Sequence, residues 1–450
     1  MADQRERQLL SLAGAFVLVS AAALALAPFA RADTWALSGE PLSFALGPWE
    51  LGSGYWDFRL CLYPAAWLVC ALAAHWAARR YLPGHDPYLL PVIFALSGWG
   101  LALIWRLAPG FGLRQTLWLV VATAALLGVV ILPGDLRWLR RYRYTWLAAG
   151  LALAALTFVA GVNPEGYGPR LWLGALGVFV QPTEALKLLL VIFLAAYLAD
   201  RRDQLFAPDA GPPPGLNPFA RLPYFLPLLT VWGFSMLIVF AQRDLGMGML
   251  YFAAFLVMLY LASGQAQYVL AGGILLTLGA VVGYALFDVV RVRVDAWWNP
   301  WLDPSGRSFQ IVQSLIALAA GGLFGRGPGL GAPTLVPVAH SDFIFAALAE
   351  EWGLAGMLAL LGLLAVLVFR GLHLALRARG AFHQLLAGGL AALLGLQALL
   401  IIAGVIRAAP LTGVTLPFVS YGGSSLVVSF VMAGLLLKLS AASPPTPARP

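Results

Sequence analysis

Apolar runs of about twenty residues recur along almost the whole chain, broken by short polar stretches and by a single long one. A run of that length covers about 30 Å of hydrocarbon at about 1.5 Å per residue, and a helix satisfies its own backbone in lipid. The pattern predicts twelve transmembrane helices, near residues 9–30, 60–77, 88–105, 116–133, 144–162, 181–199, 224–241, 246–262, 267–287, 345–369, 383–405 and 423–440. The expected fold class is therefore all-α, a polytopic membrane protein. The long interruption spans 288–344. Loops of that length are usually functional or disordered. Here the stretch from Phe309 to Leu323 has an amphipathic helical period, which argues for order. Trp297, Trp298 and Trp301 suit a headgroup layer, where an indole is half wet.

Composition removes the soluble alternative. Of 450 residues, 61% are apolar and only 11% charged, and the mean hydropathy is +0.84. The net charge of +8 is mostly a topology signal, because short cytoplasmic loops hold an excess of Lys and Arg. Arg137, Arg140, Arg141 and Arg143 share one loop, Arg201, Arg202 and Arg221 another, and Arg370, Arg377 and Arg379 a third. Alternation from Arg5 and Arg7 puts all three loops and both termini in the cytoplasm, with 288–344 outside. No basic run is interleaved with aromatics in a soluble region, so no nucleic-acid partner is expected.

The first apolar run is followed by Ala30-Arg31-Ala32, which resembles a signal-peptidase site. At about twenty residues the run exceeds the usual leader length, and it is expected to be a retained helix. Cys61 and Cys70 lie about 13 Å apart by helical rise, too far to pair, which leaves no disulfide frame and no cysteine metal site. Ala210 to Pro218 reads as a cytoplasmic linker and the last residues, 442–450, as a disordered cytoplasmic tail.

The polar residues left over are few enough to weigh singly. His340, Ser341 and Asp342 end the long interruption, and Glu350 and Glu351 follow within the next apolar run, so an imidazole and three carboxylates meet at a membrane surface. Either Asp342 or His340 is a candidate general base. Glu184 and Lys187 stand i to i+3 on one helix face. An unpaired charge costs about 2.5–3.5 kcal/mol at mid-helix, so the two should neutralise each other, as a structural ion pair or in a substrate cavity. Gln242, Asp244 and Gly246 lie in a tight hairpin between two spans, as a solvated turn or a structural clamp. Glycines 321, 322, 325, 327, 329 and 331 suit a chain reversal, although their amides would also suit a pyrophosphate. Arg170, Arg291, Arg293, Arg307, Arg326 and Arg407 are placed outside against the trend, where guanidinium groups suit an anionic diphosphate.

Four ordered blocks then carry a resemblance. Gln181-Pro182-Thr183-Glu184 with Lys187, Gln242 with Asp244-Leu245-Gly246, His340-Ser341-Asp342-Phe343-Ile344-Phe345 with Glu350-Glu351, and Leu416 to Ser425 with Ser420 and Tyr421 resemble the signatures of the SEDS (shape, elongation, division and sporulation) family of RodA/FtsW-like proteins. The likeness covers about residues 85–441. It implies a ten-helix core there, with 1–84 as a two-helix addition. Val338, Ile401 and Arg407 depart from the family pattern, which usually has Glu, Asn and Gly at those places.

The resemblance implies a peptidoglycan glycosyltransferase that polymerises lipid II on the outer face of the bacterial cytoplasmic membrane, in cell-shape elongation or division. It implies that Asp342 is the catalytic aspartate and that Glu184 and Lys187 line the central cavity. Gln181, Arg170, His340, Ser341, Glu350, Glu351, Arg407, Ser420 and Tyr421 are further candidates for the cavity or for substrate contact. A class B penicillin-binding-protein transpeptidase is the implied partner, alongside membrane lipids. A divalent cation, Mg or Mn, is a conceivable cofactor that no ligand cluster in the sequence demands. The rival expectation is a lipid-linked precursor transporter (flippase), and a scaffold without activity is a third.

Overall fold

The computed structural model describes residues 2–36, 59–134, 136–164, 166, 169–175, 177–206 and 222–442. The linker at 210–218, Arg221 and nearly all of the expected tail lie outside the described residues. In chain order the elements are α1 (Ala2–Ala36), α2 (Arg59–Tyr81), α3 (Leu89–Leu107), α4 (Pro109–Ile131), α5 (Arg137–Arg141) and α6 (Arg143–Ala160), then strands β1 (Leu173–Ala175) and β2 (Val178–Val180). There follow α7 (Pro182–Phe206), α8 (Leu222–Ala241), α9 (Leu245–Ser263), α10 (Gln267–Leu286), α11 (Asp288–Trp298), α12 (Phe309–Gly321), α13 (Ile344–Arg377), α14 (Ala381–Val405) and α15 (Gly423–Ala441).

The chain is a multi-pass membrane protein, as its hydropathy predicts. Among the described residues, eleven helices are long and apolar enough to cross a bilayer. The twelfth expected span, near 60–77, coincides with α2, a 23-residue helix outside that set whose last turn carries Arg79 and Arg80. The amphipathic stretch of the long interruption is helical as α12, and Asp288–Trp298 precedes it as α11.

Helices α3, α7, α14 and α15 form the buried centre, whereas α1, α6, α8 and α10 turn most of their surface outward. Water does not drive such helices together, so close approach depends on small residues. A Cβ on Gly389 of α14 would lie 2.5 Å from Met258 Sδ of α9 and 2.8 Å from a Val191 methyl of α7. Three large residues at this junction could not all keep their places.

Helix α13 is broken. Gly353 sits at φ +64°, ψ −162°, and its neighbours lose their helical partners there. The glycine-rich loop replaces them. Arg326 and Gly327 donate their amides to the carbonyls of Glu350 (2.9 Å) and Glu351 (3.0 Å), while Leu354 and Ala355 donate to Gly322 (2.9 Å) and Leu323 (3.0 Å). Gly322, Gly325, Gly327 and Gly329 all have positive φ, so the run reverses the chain, and the amides of residues 326 and 327 point at the break.

At one end of the bundle the helices are tied by ion pairs. Asp86 holds Arg370 and accepts the backbone amide of Tyr88 (2.9 Å). Lys438 donates to the carbonyls of Val129 (3.3 Å) and Leu132 near the end of α4. Arg140 and Arg143 meet on Asp200, and Glu6 lies between His75 and His85, each at 2.7 Å. The opposite end carries the motif blocks.

Candidate active site

Helix α7 begins with Pro182, whose fixed φ suits a first helical position, and Glu184 in that first turn complements the helix dipole. One turn on, Lys187 pairs with Glu184. Both side chains are almost wholly buried, at 4% and 1% exposure. The ammonium also donates to Gln397 Oε1 of α14 (2.7 Å). Gln397 Nε2 donates to the Thr415 carbonyl (2.8 Å), and Thr415 shares a hydrogen bond with Ser425 at the start of α15 (2.7 Å). A buried polar chain thus runs from α7 through α14 into the segment that precedes α15.

The hairpin between α8 and α9 meets this chain from the side. Asp244 caps α9 by accepting the amide of Met247 (3.1 Å), and its other oxygen receives Gln181 Nε2 (3.3 Å). Gln242 donates to the Ala154 carbonyl (3.1 Å) and to Thr157 Oγ1 (2.7 Å) of α6. A Cβ on Gly246 would lie 2.3 Å from the Thr412 carbonyl, so a side chain there would push the hairpin off the 411–414 segment. Arg293 of α11 reaches the same segment, donating to the carbonyls of Leu411 (3.1 Å) and Thr412 (3.2 Å). Burial pushes the Asp244 carboxyl up to about 6, against the pull of the Met247 amide, and the neighbouring charges of Glu184, Arg293 and Asp342 act on it too. Three motif blocks and α11 therefore share one electrostatic environment.

Asp342 lies in the turn just before α13 and is half-buried. Ser341 Oγ donates to its Oδ1 at 3.1 Å. Gly413, at φ +72°, brings the backbone so close that a Cβ there would stand 3.6 Å from Oδ2. The segment before α15 straps this turn down. Ser420 Oγ donates to the Ser341 carbonyl (2.6 Å), and the Tyr421 amide donates to the His340 carbonyl (2.9 Å). The His340 ring stacks on Phe111 (4.9 Å between centroids) and meets Tyr421 edge-on (5.6 Å). Arg114 hydrogen-bonds the Tyr421 hydroxyl, and burial raises that phenol above its usual range while Arg114 lowers it.

Other candidates are placed differently. Glu351 pairs with Arg106 of α3 (3.2 Å), and Glu350 accepts the Ala332 amide (2.8 Å) and faces Arg326 at 3.8 Å. Both carboxylates therefore brace the glycine-rich loop, and Arg106 further binds the carbonyls of Gly329 (3.3 Å) and Gly331 (3.1 Å). Arg407 donates to the carbonyls of Trp297 (2.9 Å) and Trp298 (3.0 Å), which fixes the C-terminal end of α11. Arg170 is exposed just before β1. Arg291 sits among the Tyr284 and Ala285 carbonyls and Asp288, and the backbone of Arg307 is held by Asp303.

Among the described residues, four non-glycine residues have a left-handed backbone: Arg243, Val338, Arg407 and Phe418. All but Arg407 lie in or beside the motif blocks, and strain is commonly stored at functional sites. Arg407 at φ +61° occupies a place where glycine would be relaxed, and its three backbone links with Trp297 and Trp298 hold it there. Among the described residues no group of three His, Cys, Asp or Glu side chains is placed to hold a metal ion.

Gln397, Arg106, Arg114 and Thr415 belong to this region and were not singled out from the sequence. Gln397 carried a usable signal, as a lone amide in the middle of an apolar run.

Comparison with known proteins fits this arrangement. The profile of the FtsW/RodA/SpoVE family, described as cell cycle proteins, matches residues 93–444. Peptidoglycan glycosyltransferase RodA of Mycobacterium tuberculosis is 38% identical over 405 residues, covering 87% of this chain and 84% of that protein. A chain from a structure titled as the coordination of polymerization and crosslinking by a peptidoglycan synthase complex superposes with a TM-score of 0.66 at 28% identity, over 80% of this chain and 98% of that one. The crystal structure of the Thermus thermophilus rod shape determining protein RodA gives a TM-score of 0.57 at 26% identity, over 80% and 97%. The motif blocks that converge around Asp342, Asp244 and Glu184 all fall inside the matched region, and the chain belongs to the FtsW/RodA/SpoVE family.

Proposed function

We propose that this protein is a peptidoglycan glycosyltransferase that polymerises lipid II into glycan strands at the outer face of a bacterial cytoplasmic membrane, with Asp342 as the general base. The observation that carries the reading is a half-buried carboxylate, oriented by Ser341 and strapped by Ser420, beside the buried Glu184, Lys187 and Asp244 cluster. A carboxylate within hydrogen-bond reach of a hydroxyl can take its proton as the oxygen attacks. Asp342 takes the proton of the acceptor sugar's 4-hydroxyl as that oxygen attacks the donor's anomeric carbon. The bond from that carbon to the lipid pyrophosphate breaks, and the pyrophosphate leaves with the electron pair. Guanidinium groups such as exposed Arg114 and Arg170 would stabilise the departing charge.

The basic segments at 137–143, 201–202 and 370–379 belong to the end opposite Asp342, which by the positive-inside rule supports a cytoplasmic location for that end and an extracytoplasmic site. Pairing with a class B penicillin-binding-protein transpeptidase is supported by the similarity to a chain from a synthase complex that joins polymerization to crosslinking.

The test is reconstitution of purified protein with lipid II. Wild type should make long glycan and Asp342→Ala should lose at least about 100-fold, the usual weight of a general base. Equal polymer from both would remove Asp342 from the role. No polymer from either, with transfer of labelled lipid II across the vesicle wall, would favour the transporter instead.

A further inference from the structure

A concave site lies at the end of the bundle away from Asp342. Arg137, Arg140, Arg141, Arg143, Tyr144 and Asp200 line an open cavity of about 360 Å³. Four guanidinium groups face one carboxylate there. Asp200 engages Arg140 and Arg143, and Arg143 also reaches the Ala196 carbonyl of α7 at 3.3 Å. These contacts hold two of the arginines in place and leave the lining with a charge of +3. Arg141 lies over the ring of Tyr142 (5.6 Å) and Arg143 over Tyr144 (5.2 Å).

The surroundings select the source of the anion. Leu136 and Leu139 are buried beneath the short helix α5, while Tyr142 and Tyr144 are half exposed beside it, the habit of aromatic residues at headgroup depth. Helix α6 leaves the cavity at Arg143 and presents Leu153, Leu156 and Phe158 outward along its length. A phosphate seated among the arginines would therefore lie beside the apolar, outward-facing surface of α6. We propose that this cavity binds the phosphodiester headgroup of an anionic phospholipid, with the acyl chains lying along α6.

The site is independent of the polymerase reading, and its test uses no catalysis. Full-length protein, stripped of lipid in neutral detergent, is titrated with phosphatidylglycerol, phosphatidylcholine or inorganic phosphate, and bound lipid is counted by native mass spectrometry. One phosphatidylglycerol should bind at least about ten-fold more tightly than phosphatidylcholine, and should weaken as salt rises. Arg141→Gln, an exposed position, should loosen it about five-fold, near the weight of a single basic residue at a membrane surface. Asp200→Asn should tighten it. Arg379→Gln, at the same end but outside the cavity, should change nothing. An equal loss from Arg379→Gln would mean diffuse surface charge, and displacement of the lipid by millimolar phosphate would mean a soluble anion site. Either result overturns the proposal.

Discussion

The two ends of this helix bundle solve the same problem, charged residues in a low-dielectric body, in different ways. At the end with the basic loops, the arginines that pair across neighbouring helix termini keep partial contact with solvent, while Glu6 is enclosed between His75 and His85. Arg370 is about one third exposed where it holds Asp86, and Arg140 about half exposed where it holds Asp200. At the other end Glu184 and Lys187 are enclosed, paired with each other and, through the ammonium, with the Gln397 amide, and the adjoining loops carry four left-handed residues. Exposed pairs tie helices together at little cost and little gain. Enclosed pairs cost several kcal/mol per ion to desolvate and are kept only where geometry repays it. The contrast separates a fastening from an enclosed polar cluster without reference to any relative.

Substitutions at the two ends should split accordingly. The largest effect is the loss of polymerisation in Asp342→Ala, with the fold intact by thermal unfolding in detergent. Next, Lys187→Ala leaves the Glu184 carboxylate buried and alone, and should cost about 3–5 kcal/mol of stability. Lys187→Met with Glu184→Gln should recover most of that cost. A double variant as unstable as Lys187→Ala would show that the cost does not come from the orphaned Glu184 charge. At the fastened end, Asp86→Asn should cost only about 1 kcal/mol after solvent screening, visible as a small drop in the unfolding midpoint. A cost as large as that of Lys187→Ala would erase the distinction between the ends.

A further effect is a pH dependence. Burial raises the Asp244 carboxyl from 3.8 to about 6, so the folded state holds this proton more tightly than the unfolded chain does. That contribution is fully present below about pH 4 and is lost as pH rises toward about 6. Asp244→Asn stays neutral throughout. Its unfolding midpoint relative to wild type should therefore climb across that window, and a flat difference would place the Asp244 proton elsewhere.

Much of this architecture was legible in the sequence because lipid allows so few solutions. An apolar run of twenty residues must be a helix, and residues spaced like Glu184 and Lys187 must share a face. The glycine run announced a reversal of the chain. Its destination was hidden, because the break it serves depends on one residue, Gly353, inside a run that hydropathy reads as uninterrupted. The same blindness hid Arg106, which closed the third apolar run like any interfacial arginine, while its partner Glu351 lay 245 positions away. Glu350 and Glu351 were legible as unusual but not as braces, since their function depends on loop amides that have no side-chain signature. Arg407 looked like an outward cation. Its left-handed backbone and its hold on Trp297 and Trp298 are tertiary facts that no local pattern carries.

The break in α13 also sets how much variation the gene can tolerate. A Cβ on Gly353 would stand 2.3 Å from the Gly325 nitrogen, one on Gly325 2.2 Å from the Glu351 carbonyl oxygen, and one on Gly321 1.9 Å from that of Ala349. Main chain presses on main chain at all three, so no rotamer can make room. In a saturation library these codons should accept glycine alone, an intolerance as strict as that expected of Asp342 but arising from shape instead of reactivity.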